Sequence, residues 1–326
     1  IWRGMQILRS FPSIRLIHAS TYWGAIPASL LGILSRKPVL LTVHEIFWKL
    51  RTRYKSRKTA RLYRLFERII FQLPFAKYHC VSLYTLNALR LVYGIPDKKL
   101  FLAYNGVDYE FWSREKVSKQ ESLAVQKKFW LIGKRNLLYF GHTGISKGID
   151  TLVEAIPELL EQDSELQLIF NLIPAQRDSF IKEKIQTFLA DLPPSQKGRV
   201  KIWNGLPKEE LRALVANVQA VIAPSLSEGF WSVHTETLAM GTPLITTQVA
   251  SLPEVIWGKT IFFSPWDNKE LITAVALLKS EKCTPLPEKK FSWDKQYAIL
   301  LEQYQNLWVH SELSGTRKVN LKKPKH

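Results

Sequence analysis

Two glutamates eight positions apart and a lysine in a glycine-bounded loop are the side chains of this 326-residue sequence best placed by type and spacing to do chemistry. The loop reads Gly141-His142-Thr143-Gly144-Ile145-Ser146-Lys147-Gly148, after an apolar run and before a helical pattern. Glycines let backbone N–H groups approach an anion closely. A helix N-terminus adds partial positive charge, and Lys147 adds a full one. This is the chemistry of a phosphate site, but the order is neither G-x-x-x-x-G-K-[ST] nor G-x-G-x-x-G. An ordinary glycine-rich turn between a strand and a helix accounts for these residues equally well. The second stretch runs from Ala223 to Pro243 and carries Glu228 and Glu236. With Glu228 in a loop and Glu236 on the following helix, both could face one ligand and accept from the vicinal hydroxyls of a ribose or hexose. A capped helix with two solvated acids is the competing reading. His234-Thr235-Glu236 is not a metal motif, because such spacing needs a third partner that the sequence does not offer. Nor does the chain contain Asp-x-Asp.

These loops need a scaffold, and the sequence supplies short apolar runs in alternation with helical stretches. In the N-terminal part, strands are expected at 14–18, 39–43 (ending at His44), 78–82 and 100–103. Helices are expected at 22–34, 83–93 and from about 59 onward. Residues 113–130 are polar, lack buried-strand character and fit an interdomain connection. A second series follows, with strands at 137–140, 166–172, 200–203, 220–223, 244–247 and 261–263. Its helices are expected at 149–162, 178–191, 208–216, 231–239, 269–280 and 294–309. Alternation of this kind argues for parallel sheets with helices on their faces. The expected fold class is α/β, two Rossmann-like doubly wound domains facing a cleft, with the ligand outside the C-terminal ends of the strands. The expected domains are 1–112, a linker at 113–130, 131–310 with a last helix that is a candidate to cross back, and a basic disordered tail at 311–326.

Charge and composition narrow the function classes. The formal net charge is +18 and the apolar fraction is 46%, enough for ordinary cores and against wholesale disorder. Cys80 and Cys283 are too few for a disulfide framework or a cysteine-rich zinc site and fit a reducing compartment. No apolar run reaches the roughly 18–20 residues needed to span a bilayer. Residues 49–68 are a run of lysines and arginines against one acid, Glu67, with apolar residues interleaved. On a helix, Leu62, Leu65, Phe66, Ile69 and Ile70 form one stripe. It reads either as a core-facing helix with a solvated basic face or as a surface for anionic lipid headgroups. No zinc-finger, RNA-recognition or helix-turn-helix signature points to nucleic acid. The tail after Gly315 is basic and could add to the same attraction.

The order of motifs resembles that of retaining, metal-independent glycosyltransferases of the GT-B fold, the group called glycosyltransferase family 4. Pro224-Ser225, Glu228-Gly229-Phe230, Glu236, Ala239 and Gly241-Thr242-Pro243 resemble its E-x7-E signature. Gly141…Lys147-Gly148 resembles its G-R…K-G loop, Pro253-Glu254 its P-E, Val43-His44-Glu45 its histidine after a strand, and Asn105-Gly106-Val107-Asp108 its N-G-V-D. The resemblance covers nearly the whole chain.

It implies roles by position. Lys147 and the amides of the Gly141 loop, His142 included, would hold a donor pyrophosphate. Glu236 would bind the nucleotide ribose, and Glu228 would contact the donor sugar or its phosphate. Gly229 and Phe230 would present backbone amides, and His44 would touch the sugar or assist the acceptor. Ser82 and Asn105 are weaker lining residues. The implied enzyme is a hexosyltransferase using a nucleotide-diphosphate sugar as co-substrate and no cofactor or metal. Its acceptor would be a lipid-linked or cell-surface glycan, at the cytoplasmic side of a membrane. A nucleotide-sugar-binding remnant without catalysis is the alternative. Three departures bear on the donor pocket. His142 stands where the family has arginine, Trp231 where it has glycine, and Ala250-Ser251 where it has Gly-Gly. Members also begin with a strand and a glycine-rich loop that residues 1–12 do not supply, so one or two βα units of about 30 residues each are expected to be missing.

Overall fold

The computed structural model describes residues 1–46, 57–173, 179–230, 232–279 and 285–316. Residues 49–56 of the basic stretch, Trp231, Cys283 and the tail beyond 316 lie outside the described residues. The chain divides into two compact units, one formed by 1–106 with 291–326 and the other by 107–290.

The first unit opens with helix α1 (Trp2–Ser10) and is built on a four-stranded parallel sheet. Its strands β1 (Ile17–Ser20), β2 (Val39–Val43), β3 (Lys77–Cys80) and β4 (Leu100–Leu102) lie in sequence order. Right-handed connections between successive neighbours put the crossover helices on one face of the sheet. These are α2 (Ala25–Ser35), α3 (Arg57–Phe71) and α4 (Leu83–Leu91). Val39, Leu41, Val43, Tyr78 and Cys80 point to that face and pack on Ala25, Ala28, Ile70, Phe71, Ala88 and Leu89. By alternation, Leu40, Thr42 and His79 face the other way. β1 starts three residues later than the apolar run suggests. Pairing begins at Ile17, whose N–H reaches Pro38 O at 3.0 Å, while the Ile14 carbonyl is taken by the Lys37 ammonium at 2.5 Å.

Helix α3 corrects the core-facing reading of the basic segment. Ala60, Ile70 and Phe71 are buried, but Leu62, Leu65, Phe66 and Ile69 are exposed. The inward side instead contains Glu67, fully buried, which accepts hydrogen bonds from the hydroxyls of Tyr22 and, at 2.6 Å, Tyr93. These contacts to a buried carboxyl fix the rotation of the helix.

The second unit is a six-stranded parallel sheet in the order β10-β9-β8-β5-β6-β7. In chain order its elements are α5 (Lys119–Lys128), β5 (Arg135–His142), α6 (Ile149–Gln162), β6 (Leu166–Ile173), α7 (Ser179–Ala190), α8 (Pro194–Lys197) and β7 (Val200–Asn204). Then come α9 (Lys208–Asn217), β8 (Ala220–Ala223), α10 (Ser232–Ala239), β9 (Leu244–Thr247), α11 (Leu252–Val255), β10 (Thr260–Phe263) and α12 (Asn268–Lys279). On α6, Ile149, Leu152, Val153, Ile156, Leu159 and Leu160 recur at helical spacing and are all buried. They pack with Leu137, Leu168, Phe170, Ile222 and Leu271 in one core. The strand order reverses between β5 and β8. A sheet of this kind opens a crevice at that point, outside the carboxyl ends of the strands.

Residues 113–130 are not a bare connection but part of the second unit. Ser118 and Glu121 form a capping box that starts α5. The helix is tied to α9 by Arg212 to Glu121 at 3.0 Å, Gln126 to Asn217 at 2.9 Å and Lys128 to Glu210. Arg114 donates to Met240 O at 3.1 Å, to Ala216 O and to Thr242 Oγ1 at 3.0 Å. A polar sequence thus docks through its charges. The final helix α13 (Trp293–Thr316) belongs with the first unit. Gln296 Nε2 donates to Asn105 Oδ1 at 2.8 Å, and a Cβ on Gly106 would lie 2.3 Å from Trp293.

At the start of β6, Gln167 is fully buried and donates to Phe129 O at 2.8 Å and Asn136 Oδ1 at 3.0 Å. Gln167→Leu leaves both acceptors buried without a donor. It is expected to cost about 2–3 kcal/mol, read as a lower urea midpoint at unchanged m-value. An unchanged midpoint would mean that this network carries no stability.

Candidate functional site

Lys147 and Glu228 meet where the strand order reverses, beyond the ends of β5 and β8. Lys147 ends the short helical turn after β5, and Glu228 lies in the loop between β8 and α10. The ammonium is 3.1 Å from both carboxylate oxygens, with Lys147 7% exposed and Glu228 fully buried. The two loops are locked together at the backbone. Leu226 N–H donates to Ser146 O at 2.7 Å. Gly148 has φ +62°, and a Cβ there would lie 1.9 Å from Pro224 O, so only glycine fits. The Glu228 carbonyl accepts from the Ser251 hydroxyl at 2.8 Å. Burial pushes the Glu228 carboxyl above its ordinary value, while Lys147 and the Ser225 hydroxyl pull it back.

The other expected residues of this unit surround the pair less directly. Gly141 has φ +137° and brings the end of β5 close to Val233 of α10. His142 is exposed, and its carbonyl accepts from the buried Tyr139 hydroxyl at 2.8 Å. Gly229 and Phe230 are buried just before α10. Glu236 sits on α10, partly exposed, with Ser232 and Lys208 as its polar surroundings. Burial raises its carboxyl to about 7 against the pull of both. His234, on the opposite side of α10, is fully buried near Lys147, with Nε2 3.0 Å from Thr246 Oγ1. Burial holds it neutral, down to about 3. Since Thr246 donates its own proton to Ala223 O at 2.7 Å, His234 Nε2–H must be the donor to Thr246.

Sequence reasoning missed Tyr139, and it gave no role to Ser225, which it named only within the signature, or to Ser251; their roles depend on contacts between loops. It flagged Ala250-Ser251 only as a departure from glycines. In the structure Ala250 has φ +50°, the left-handed region where glycine is favoured by about 1–2 kcal/mol, while Ser251 uses its side chain to hold Glu228.

In the first unit His44 follows β2 and is exposed, with Nε2 3.3 Å from Ser20 Oγ and its N–H on Thr21 Oγ1 at 3.3 Å. Surrounding chain lowers its pKa by desolvation. Behind it runs a directed chain of hydrogen bonds. His79 Nε2–H donates to Ala103 O at 2.8 Å, so the neutral ring accepts at Nδ1 from the Thr42 hydroxyl at 3.0 Å. Thr42 Oγ1 therefore accepts from His18 Nε2–H at 2.6 Å, and His18 Nδ1 accepts from the Tyr304 hydroxyl at 2.7 Å. Burial keeps His79 neutral, down to about 4. Ser82 caps α4 through Thr85, and Asn105 is held by Gln296. Among the described residues no three His, Cys, Asp or Glu side chains gather to hold a metal ion.

Residues 1–111 match the family model Glycosyltransferase Family 4, and residues 134–280 match Glycosyl transferases group 1. Over 111 residues the chain is 36% identical to the MMP alpha-(1->4)-mannosyltransferase of Mycolicibacterium hassiacum, covering 34% of this chain and 25% of that one. It is 25% identical over 229 residues to a glycosyltransferase of Methanocaldococcus jannaschii, covering 62% and 53% of the two chains. It is 27% identical over 220 residues to spore coat protein SA of Bacillus subtilis, covering 62% and 57%. The chain thus spans about half the length, or less, of these curated relatives. Anabaena Alr3699/HepE in complex with UDP and glucose superposes with a TM-score of 0.74 at 14% identity, over 93% of this chain and 81% of that one. Sucrose-phosphate synthase from Thermosynechococcus elongatus gives 0.72 at 19%, over 94% and 77%. At these identities the likeness is one of fold, and that fold is GT-B.

Two outcomes test the electrostatics. Lys147→Met strands a buried carboxylate and is expected to cost about 3–5 kcal/mol in urea unfolding, most of it recovered by adding Glu228→Gln. An additive double variant would show that the two charges do not depend on each other. Glu236 titrates near 7 when folded, against 4.5 when free. Its charged form is therefore disfavoured in the folded state, and wild-type stability falls as pH rises through that window. Glu236→Gln should unfold at higher urea than wild type above pH 7, with the gap closing below pH 4.5. A gap that does not change with pH would remove Glu236 from this role.

Proposed function

We propose, on the premise that the chain is a glycosyltransferase of the GT-B fold, that it moves a hexose from a nucleotide-diphosphate sugar to a hydroxyl acceptor with retained anomeric configuration and without a metal. The acceptor is a lipid-linked or cell-surface glycan. The observation that carries this reading is the buried Lys147–Glu228 pair at the point where the strand order reverses. An ammonium and a carboxylate side by side suit a ligand that brings both an anion and hydroxyl donors. A diphosphate meets Lys147, and sugar hydroxyls meet Glu228, so neither buried charge is left unpaired. A bare nucleotide would satisfy the cation alone.

The barrier to transfer is separation of an oxocarbenium-like sugar from the leaving diphosphate. Lys147 and the backbone amides around Gly141 and His142 stabilise the negative charge that grows there. Gly229 and Phe230 present amides to the donor. Glu236 accepts from the ribose hydroxyls, which favours its charged form. His44 contacts the acceptor or the sugar. Support for a nucleotide-sugar donor also comes from the related fold solved with UDP and glucose, and support for a hexose from the mannosyltransferase relative.

Calorimetry with UDP-glucose and a panel of other nucleotide sugars tests the donor. Glu236→Ala should weaken binding of the preferred donor by about 10–100-fold, the value of hydrogen bonds to a charged group. Equal affinity in wild type and variant would remove Glu236 from the site. Binding that persists without nucleotide release across an acceptor panel would favour a non-catalytic nucleotide-sugar-binding module.

A further inference from the structure

The solvent face of the first unit has two apolar stripes that its core does not use. On α3, Leu62 is 66% exposed, Leu65 55%, Phe66 45% and Ile69 53%. The residues recur at helical spacing and fall on one side of the helix, away from Ala60, Glu67, Ile70 and Phe71. On α2, Ile26, Leu30, Ile33 and Leu34 are exposed in the same pattern. The two helices lie on the same face of the sheet. The start of α2 sits against α3, with the Tyr22 ring 6.1 Å from that of Phe71. Lys58, Arg61, Arg64 and Arg68 flank the α3 stripe, with Lys58, Arg61 and Arg68 exposed. The only acid between 57 and 71, Glu67, is turned inward and held by two tyrosines.

We infer that this face of α2 and α3 docks on an anionic lipid bilayer, with the leucine and isoleucine side chains in the headgroup–acyl boundary and the lysines and arginines on the headgroups. Apolar side chains exposed beside a row of cations fit a surface that is apolar beneath and anionic on top. A second copy of the chain fits poorly, because pairing through this face would set two cationic rows against each other in a molecule of net charge +18. Nor does the face belong to a membrane-crossing segment, since among the described residues no helix is long and apolar enough to span a bilayer.

Co-sedimentation of the full chain with phosphatidylcholine vesicles, with and without phosphatidylglycerol, tests the inference. Binding should require phosphatidylglycerol and weaken as salt is raised. Arg61→Gln and Arg68→Gln should each lower the partition coefficient about fivefold. Leu65→Gln/Ile69→Gln should lower it about tenfold or more while leaving the thermal melt unchanged, as expected for exposed positions. Equal binding to both vesicle types, or binding to neither, would overturn the inference. So would a dimer in sedimentation equilibrium that Leu65→Gln/Ile69→Gln dissolves, which would assign the face to a second copy.

Discussion

A buried ammonium and a buried carboxylate stabilise each other only while both are present, and the second unit is arranged around that condition. Isolated charges taken out of water cost several kcal/mol each. Lys147 and Glu228 come from loops after different strands, so their pairing needs those loops to meet. The reversal of strand order between β5 and β8 makes the two strands neighbours, so the loops after them leave the sheet side by side. Gly148 allows the backbones to touch, Leu226 and Ser146 join them, and Ser251 fixes the carbonyl of Glu228. Both groups are therefore already desolvated and oriented. That is the condition under which electrostatic stabilisation is strongest, because nothing has to reorganise when charge moves.

The first unit holds buried polar groups through a series of hydrogen bonds. Its sheet face opposite the crossover helices carries histidine and threonine where most buried sheets carry aliphatic residues. The polar atoms are satisfied in series from Tyr304 through His18, Thr42 and His79 to the Ala103 carbonyl. The series has one direction, because its last acceptor is a carbonyl and cannot donate. Each ring must then be neutral and in one tautomer. A proton added to His79 would turn its Nδ1 into a donor facing the Thr42 hydroxyl, which would lose its acceptor. Burial, which holds His79 near 4, keeps that from happening at neutral pH. The same series ties α13, at the end of the chain, to β1 near its beginning.

How much of this was legible depended on whether the signal was local. Strands β2, β8 and β9 and helix α6 have the bounds that the sequence pattern suggests, because each is a short run of apolar and β-branched residues or a clean helical stripe. The glutamate spacing and the glycine–lysine loop pointed to Lys147 and Glu228, and the structure places these two together. The same spacing pointed to Glu236, while His142 and His44 were named from the resemblance to a known pattern. Composition misled at 113–130, where a polar stretch hid a capping box and an arginine that docks by three hydrogen bonds.

Helix α3 shows most clearly why the rest could not be read. Its apolar stripe gives the strongest periodicity in the segment, and periodicity normally points to the core. The helix instead turns a carboxylate inward, because Tyr22 and Tyr93, 45 and 26 residues away, bring hydroxyls to Glu67. With those hydrogen bonds in place Ile70 and Phe71 are buried on the inward side, and Leu62, Leu65 and Ile69 stay outside. No window of sequence contains those tyrosines and that glutamate together. The rotation of a helix is decided by what it meets, and for α3 the deciding partners are distant in the chain.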